Sequence, residues 1–376
     1  LTIDGIRFVI DVGFCKQTSY NPKTGVDSLV VTPVSQAGAN QRAGRAGRTA
    51  AGKCFRLFTA WSFKYELDEN TVPEIQRTNL SSVVLQLYSL GINDLIHFDF
   101  MDPPPAETLI RSLEQLYALG ALNDKGQLTK LGRRMAEFPT DPMLAKTLLA
   151  AERYGCVEEV LSICAMLDIG AAVFYRPPEK AVHAETARLN FGRGKGAFGD
   201  HMSLRNVYEQ WKDTNFSTNW CYENYIQIKS MRKARDIRDQ LSGLCDRVEL
   251  EKLSSDESEN IRKAITAGYF YHTAKFTAKD GNSYKTVKNQ HTVHMHPSSS
   301  LFKEDPQPKW VVYHQLQFTK QEYMRQVIEI KPEWLVEIAP HYYKPADIDD
   351  GSKQVKIKSR NAAALQTLPE RYQLPK

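Results

Sequence analysis

No run of apolar residues in this chain is long enough to span a bilayer, and its start lacks the charged-then-apolar pattern of a secretion signal. The six cysteines (Cys15, Cys54, Cys156, Cys164, Cys221 and Cys245) show no CxxC spacing and no dense framework. That pattern argues against a disulfide scaffold, and the cysteines read as reduced, mostly buried residues of an intracellular protein. Also absent are a G-x-x-x-x-G-K-S/T phosphate loop and an Asp-Glu-x-His acidic motif. Gly192-Arg193-Gly194-Lys195-Gly196 has glycines and a lysine, but no hydroxyl residue follows the lysine and no buried strand precedes it. It reads as a surface loop rather than a phosphate cradle. Neither sign of charge dominates: a formal net charge of +5 permits an anionic partner without requiring one.

What is present is enough apolar material, 42% of 376 residues, for two to four domains with real cores. The densest chemistry lies in Gln41-Arg42-Ala43-Gly44-Arg45-Ala46-Gly47-Arg48. Read as a helix, the four-residue spacing puts Gln41 and Arg45 on one face, with Arg48 a turn further on. A planar guanidinium matches phosphate oxygens by bidentate hydrogen bonds and does not titrate. A glutamine beside it can orient a water, so the set suits stabilisation of a transferring phosphoryl group. A solvated basic helix is the plainer alternative.

Around that stretch, Ile6 to Asp11 reads as a buried strand, Phe14 to Ser35 as a β-hairpin turning at 21–25, and Gly52 to Phe58 as a further strand. Strand, helix, strand is the grammar of a parallel α/β sheet. Pro103 to Pro105 break the chain before an amphipathic helix from Glu107 to Leu119. A tight hairpin over 121–128 and a short helix capped by Thr129 follow, which suggests a winged helix. From Pro139, apolar stripes (Met143, Leu144, Leu148, Leu149, then Val157, Val160, Leu161, Cys164, Leu167) predict packed helices. The basic run Lys229, Arg232, Lys233, Arg235, Arg238 predicts an amphipathic helix with one cationic side, either solvated or bound to a nucleic-acid backbone. Beyond residue 259, short strands at 269–277, 284–287, 292–295, 310–318 and 323–330, with a turn at 280–282, suit a small barrel. His291, His294 and His296 lack Cys or acidic companions, so no metal site is expected. Residues 346–376 lose apolar periodicity and read as a flexible or partner-bound tail.

The arginine-rich stretch resembles motif VI of superfamily 2 helicases, and of the DEAH-box RNA helicases in particular. Leu1-Thr2-Ile3-Asp4-Gly5-Ile6 looks like the end of motif V, so the chain start reads as mid-domain. The resemblance implies a multidomain α/β + α + β fold. Its parts would be the C-terminal part of a second RecA-like lobe (1–70), a winged helix (71–138), a helix-bundle or ratchet domain (139–258), an OB-fold (259–345) and the tail (346–376).

The family likeness also assigns roles. Gln41, Arg45 and Arg48 would act on ATP, Gln41 holding the attacking water and the two arginines reaching the γ- and β-phosphates. Asp4 would lie by the ribose. Thr2 would lie near the RNA backbone, with Lys229, Arg232 and Lys275 as further RNA-binding candidates. Mg²⁺ would be held mainly by residues preceding this chain, so the chain alone is expected not to hydrolyse ATP. The expected partners are single-stranded RNA (pre-mRNA), a G-patch activator bridging the winged helix and second lobe, the N-terminal RecA lobe and the spliceosome, but no membrane. The likeness is closest to spliceosomal members, those driving catalytic activation, which implies a nuclear protein moving 3′ to 5′ along RNA. The alternatives are a non-catalytic RNA- and protein-binding scaffold, or a DEAH-box helicase of another splicing or ribosome-biogenesis step.

Overall fold

A computed structural model describes residues 4–22, 24–194, 198–277 and 283–348. The chain divides into two compact units: Leu1–Asn79 with Asp99–Pro105, and Leu80–Phe98 with Ala106–Lys376. Thr2, the turn expected at 280–282 and all but the first residues of the expected tail lie outside the described residues.

The first unit opens with β1 (Phe8–Asp11), followed by the hairpin strands β2 (Phe14–Asn21) and β3 (Val26–Pro33). The hairpin runs in unbroken antiparallel register from Phe14 opposite Pro33 to Asn21 opposite Val26. Helix α1 (Gln36–Ala43) begins at Ser35, whose hydroxyl accepts from the Gly38 amide at 3.0 Å and so satisfies one of the unpaired amides of the first turn. Strand β4 (Lys53–Arg56) returns parallel to β1, giving the expected strand–helix–strand unit. Helix α2 (Ala60–Tyr65) is capped by Thr59 in the same manner. One expectation fails here. Strand β1 is not buried, since Phe8 and Ile10 are 67% and 70% exposed and only Asp11 is sealed. Two strands with one helix cannot cover both sheet faces.

The second unit begins with α3 (Ser81–Ser89), α4 (Ala106–Ala118) and α5 (Lys130–Ala136). The buried Ser81 hydroxyl donates to Gln115 at 2.6 Å, tying α3 to α4. The wing is reduced to one bridge, Leu122 with Leu128, and Thr129 caps α5 as its position predicts. Next come α6 (Pro142–Arg153), α7 (Val157–Ile169), α8 (Ala181–Phe191), α9 (Asp200–Asp213), α10 (Thr218–Glu223), α11 (Ile228–Arg247) and α12 (Ser258–Tyr269). The two apolar stripes read from sequence are buried without exception.

Strands β5 (Thr273–Thr277), β6 (Ser283–Thr286), β7 (Thr292–Met295), β8 (Trp310–Phe318) and β9 (Glu322–Glu329) follow. Among the described residues they close in the order β8-β5-β6-β7-β9 and back to β8, with β7 and β9 the one parallel pair, so these five strands leave no open edge. The first strand starts later than expected, because the helix α12 continues through Tyr269 and fills the barrel's side with buried Ile265, Tyr269 and Phe270. Short helices α13 (Pro332–Ile338) and α14 (Pro345–Ile348) end the described chain.

Helix bundle and barrel are joined at Gly199-Asp200. Gly199 has φ 129° and bridges Ile328; a Cβ there would lie 2.3 Å from the Val327 carbonyl. Asp200 accepts from the Val327 amide at 2.8 Å and from the Ser300 amide and hydroxyl at 2.7 and 3.0 Å. His201 packs behind it fully buried, and burial holds its ring neutral, with the pKa lowered to about 3.

Candidate functional site

Two sites emerge, one in each unit. In the first, α1 ends at Ala43, and residues 44–47 form a tighter turn in which the Arg45 and Ala46 amides donate to the carbonyls three residues back at 3.0 and 3.1 Å. Gln41 is therefore helical, whereas Arg45 and Arg48 are not, and the one-helical-face expectation is corrected. The physical cause is local. Gly44 and Gly47 weaken the helix, and Ala46 is drawn into contact with Gly52, where a Cβ would sit 2.2 Å from the Ala46 carbonyl and 2.6 Å from that of Arg7. The turn is thus pinned to the start of the β1/β4 pair, the end at which the exposed turn residue Asp4 also lies.

Arg42 has a different task from its neighbours. It donates to the buried carboxylate of Asp11 at 2.7 Å and to the Phe14 carbonyl at 3.0 Å, fixing the end of α1 to the corner between β1 and β2. Asp11 also accepts from the Gly13 amide at 3.0 Å. Gln41 and Arg48 are exposed and Arg45 is half-buried. A glutamine and two guanidiniums on a pinned turn fit a polyphosphate by donor chemistry. No grouping of three or more His, Cys, Asp or Glu that could hold a metal occurs among the described residues.

The second site is a cleft of about 540 Å³ between α8, the start of α9, the segment after β7 and β9. Arg176, Arg188, Lys303 and Arg325 bring four cations to it, against Glu185 and Asp200. Arg188 is held by Glu185 at 2.6 Å and donates to the Ser298 carbonyl. Arg325 donates to the Ser298 hydroxyl at 3.0 Å and lies against the His296 ring. Burial, then Arg325 and Arg188, lower the His296 pKa to about 4, so the ring is neutral at pH 7 and does not add to the cationic charge. Phe174 and Tyr175 line the wall, and Tyr175 is 53% exposed. Cations beside exposed aromatics suit the backbone and bases of a single strand.

Of the described residues expected to bind RNA (Lys229, Arg232 and Lys275), none lines this cleft. Lys229 and Arg232 are exposed on α11, one helical step apart with Lys233. The helix starts where the cleft wall ends, through the bridge between Phe174 and Ile226 and the Gln227 amide bound to the Val173 carbonyl at 2.9 Å. The single cationic side is corrected: Arg238 turns inward to Glu158 and to Ser162 at 3.0 Å, and Arg235 lies over Phe216 at 5.5 Å. Lys275 sits on the barrel, its ammonium 5.2 Å from the Trp310 ring centroid and directly across from Lys285 in register. Sequence reading missed Arg188 and Arg325. They are 137 positions apart, a distance no spacing rule connects. Gly199-Asp200 lies at the joint beside them, with Asp200 accepting from the Val327 and Ser300 amides.

Comparison with protein families gives three matches in chain order. Residues 112–140 match the helicase associated domain (HA2), winged-helix. Residues 141–204 match the helicase associated domain (HA2), ratchet-like. Residues 261–342 match an oligonucleotide/oligosaccharide-binding (OB)-fold, the region of the closed barrel. Helicase-associated domains of this kind belong to the DEAH-box helicases, which are ATP-dependent RNA helicases. The three together point to the C-terminal region of such an enzyme.

Proposed function

We propose that this chain is the C-terminal part of an ATP-dependent DEAH-box RNA helicase that moves 3′ to 5′ on single-stranded pre-mRNA and remodels the spliceosome in the nucleus. The observation that carries the reading is the cationic cleft, set between the ratchet-like and OB-fold regions of a helicase-associated array. Arg188, Lys303 and Arg325 would take backbone phosphates there, with Lys229 and Arg232 extending the track and Lys275 a separate contact on the barrel. Thr2 would add a backbone contact from the first unit.

In the nucleotide site, Arg45 and Arg48 would bear on the γ- and β-phosphates of ATP, Gln41 would orient the attacking water and Asp4 would meet the ribose. Mg²⁺ would be held mainly by residues outside this chain, which on its own would be inactive. The exposed apolar face of β1 and β4 (Phe8, Ile10, Phe55) is where the remainder of a RecA-like sheet would pack. A G-patch activator would dock on the winged-helix region, where Leu90 and Ile96 are 76% and 77% exposed.

The test is RNA-stimulated ATP turnover by the complete protein, together with RNA affinity measured across a salt series. Affinity should fall steeply with salt as released counterions predict, and Arg325→Ala should reduce the slope by about one. A salt-independent affinity, or turnover indifferent to RNA, would sink the reading.

A further inference from the structure

Between β7 and β8 the chain runs through residues 296–309 without helix or strand. Three consecutive serines lie near its start, and two of them, Ser298 and Ser300, line the cationic cleft. The fold uses the three differently. Ser299 is buried, and its hydroxyl accepts from the Leu301 amide at 3.3 Å. Ser300 is half-buried and tied to Asp200 through both its amide and its hydroxyl. Ser298 alone of the three is exposed. It sits on irregular chain outside any helix or ladder, the form in which a protein kinase takes its target.

The groups around Ser298 match a phosphate ester. Its hydroxyl lies 3.0 Å from Arg325 Nη1 and 2.7 Å from His296 Nδ1, and its carbonyl accepts from Arg188. Arg325 reaches it from β9 and Arg188 from α8, so guanidiniums approach from two separate elements. After burial, the same two arginines are what hold the His296 ring neutral, so the local field is positive. A guanidinium fork fits phosphate oxygens by paired, charge-assisted hydrogen bonds.

Charge decides the consequence. Four cations face two carboxylates in the cleft. A phosphoserine carries about −1.5 to −2 at pH 7, which cancels that surplus. Its oxygens would also occupy Arg188 and Arg325, the side chains assigned above to the phosphates of the strand.

We propose that Ser298 is a phosphorylation site whose modification closes the cleft to RNA. In the step, Ser298 Oγ attacks the γ-phosphorus of ATP held by a protein serine/threonine kinase. The Oγ–P bond forms, the bond from that phosphorus to the β–γ bridging oxygen breaks, ADP leaves and the hydroxyl proton passes to the base of the kinase. A phosphatase reverses it by hydrolysing the ester with water. The proposal rests on the RNA-binding reading above and supplies its regulation.

The experiment has two arms. In the first, phosphoserine is incorporated in place of Ser298 by codon reassignment, and the full chain is titrated with labelled oligouridylate beside the unmodified chain. A chain modified instead at Ser89, an exposed residue of α3 that does not line the cleft, carries the same added charge elsewhere. Modification at Ser298 should weaken binding about ten- to hundredfold, the effect of one hydrogen bond to a charged group, and lower the salt slope by about two. Modification at Ser89 should change affinity by less than about twofold. In the second arm, the protein is recovered from its native cells and its tryptic peptide 289–303 is mapped by mass spectrometry. Phosphate is expected on Ser298. Equal binding with and without the modification at Ser298, or an equal loss from modification at Ser89, overturns the switch and spares the RNA reading. A peptide without phosphate, or with phosphate only on Ser299 or Ser300, overturns the modification site. An unmodified chain that does not bind oligouridylate overturns the RNA reading and the switch together.

Discussion

In the first unit, Phe8, Ile10, Phe55 and Leu57 of the β1/β4 region are all more than half exposed. In the second, Trp211, Tyr208 and Tyr269 are sealed, Trp211 packs edge-on against Phe216 at 4.8 Å, and five strands close on themselves. The same kinds of residue are spent differently. The second unit completes its own core, so its cationic cleft is built wholly within one compact unit. The first pins its arginine turn locally, through Ala46, Gly52 and Arg7, yet presents an unpartnered apolar face.

The largest effect that would break this comparison is catalytic. In the complete protein, Arg45→Ala should lower RNA-stimulated ATP turnover by about 10³-fold, as loss of a phosphate-facing arginine does elsewhere, with RNA affinity retained. Near-normal turnover would remove Arg45 from the nucleotide site. Next comes packing. Trp211→Ala should cost about 3–5 kcal/mol by denaturant titration of the chain, whereas Phe8→Ala should change stability by less than about 0.5 kcal/mol. Equal losses would mean that the β1 face is already covered in solution.

Acidification should separate the units as well. All nine histidines lie in the second unit. Burial lowers His201 to about 3, and His272, His296 and His314 to about 4. A lowered folded-state pKa means that the unfolded chain binds protons first. Their contribution is complete above the unfolded value near 6.5 and is lost as pH falls toward 4. Melting followed by tryptophan fluorescence should therefore show the second unit weakening across that window. Stability that is flat between pH 7 and 4 would contradict the buried neutral rings.

The smallest effect concerns α11. Arg238→Ala strips the partner from Glu158 and should cost about 1–2 kcal/mol. Lys229→Ala on the exposed side should leave stability within about 0.5 kcal/mol and weaken RNA binding. Reversed outcomes would exchange the structural and binding roles of the two faces.

Local chemistry was legible without coordinates wherever a short-range rule governs it. The hairpin at 14–33, the Thr129 cap and the buried stripes of α6 and α7 follow from turn residues, capping geometry and helical periodicity, which act within a few positions. So did the donor chemistry of Gln41, Arg45 and Arg48. The shape on which they sit did not, because a contact of Ala46 with Gly52 and Arg7 overrides the helical spacing. Likewise, Arg42 and Arg238 look like their cationic neighbours in sequence, and only Asp11 and Glu158 make them structural. The sequence by itself determined the hairpin, the capped helix starts and the apolar stripes, and the donor chemistry of its arginines, because each depends on neighbours a few positions away. Tertiary structure alone decided that Arg188 and Arg325 meet at Ser298. That outcome depends on helices and barrel closing over distances that no local interaction spans.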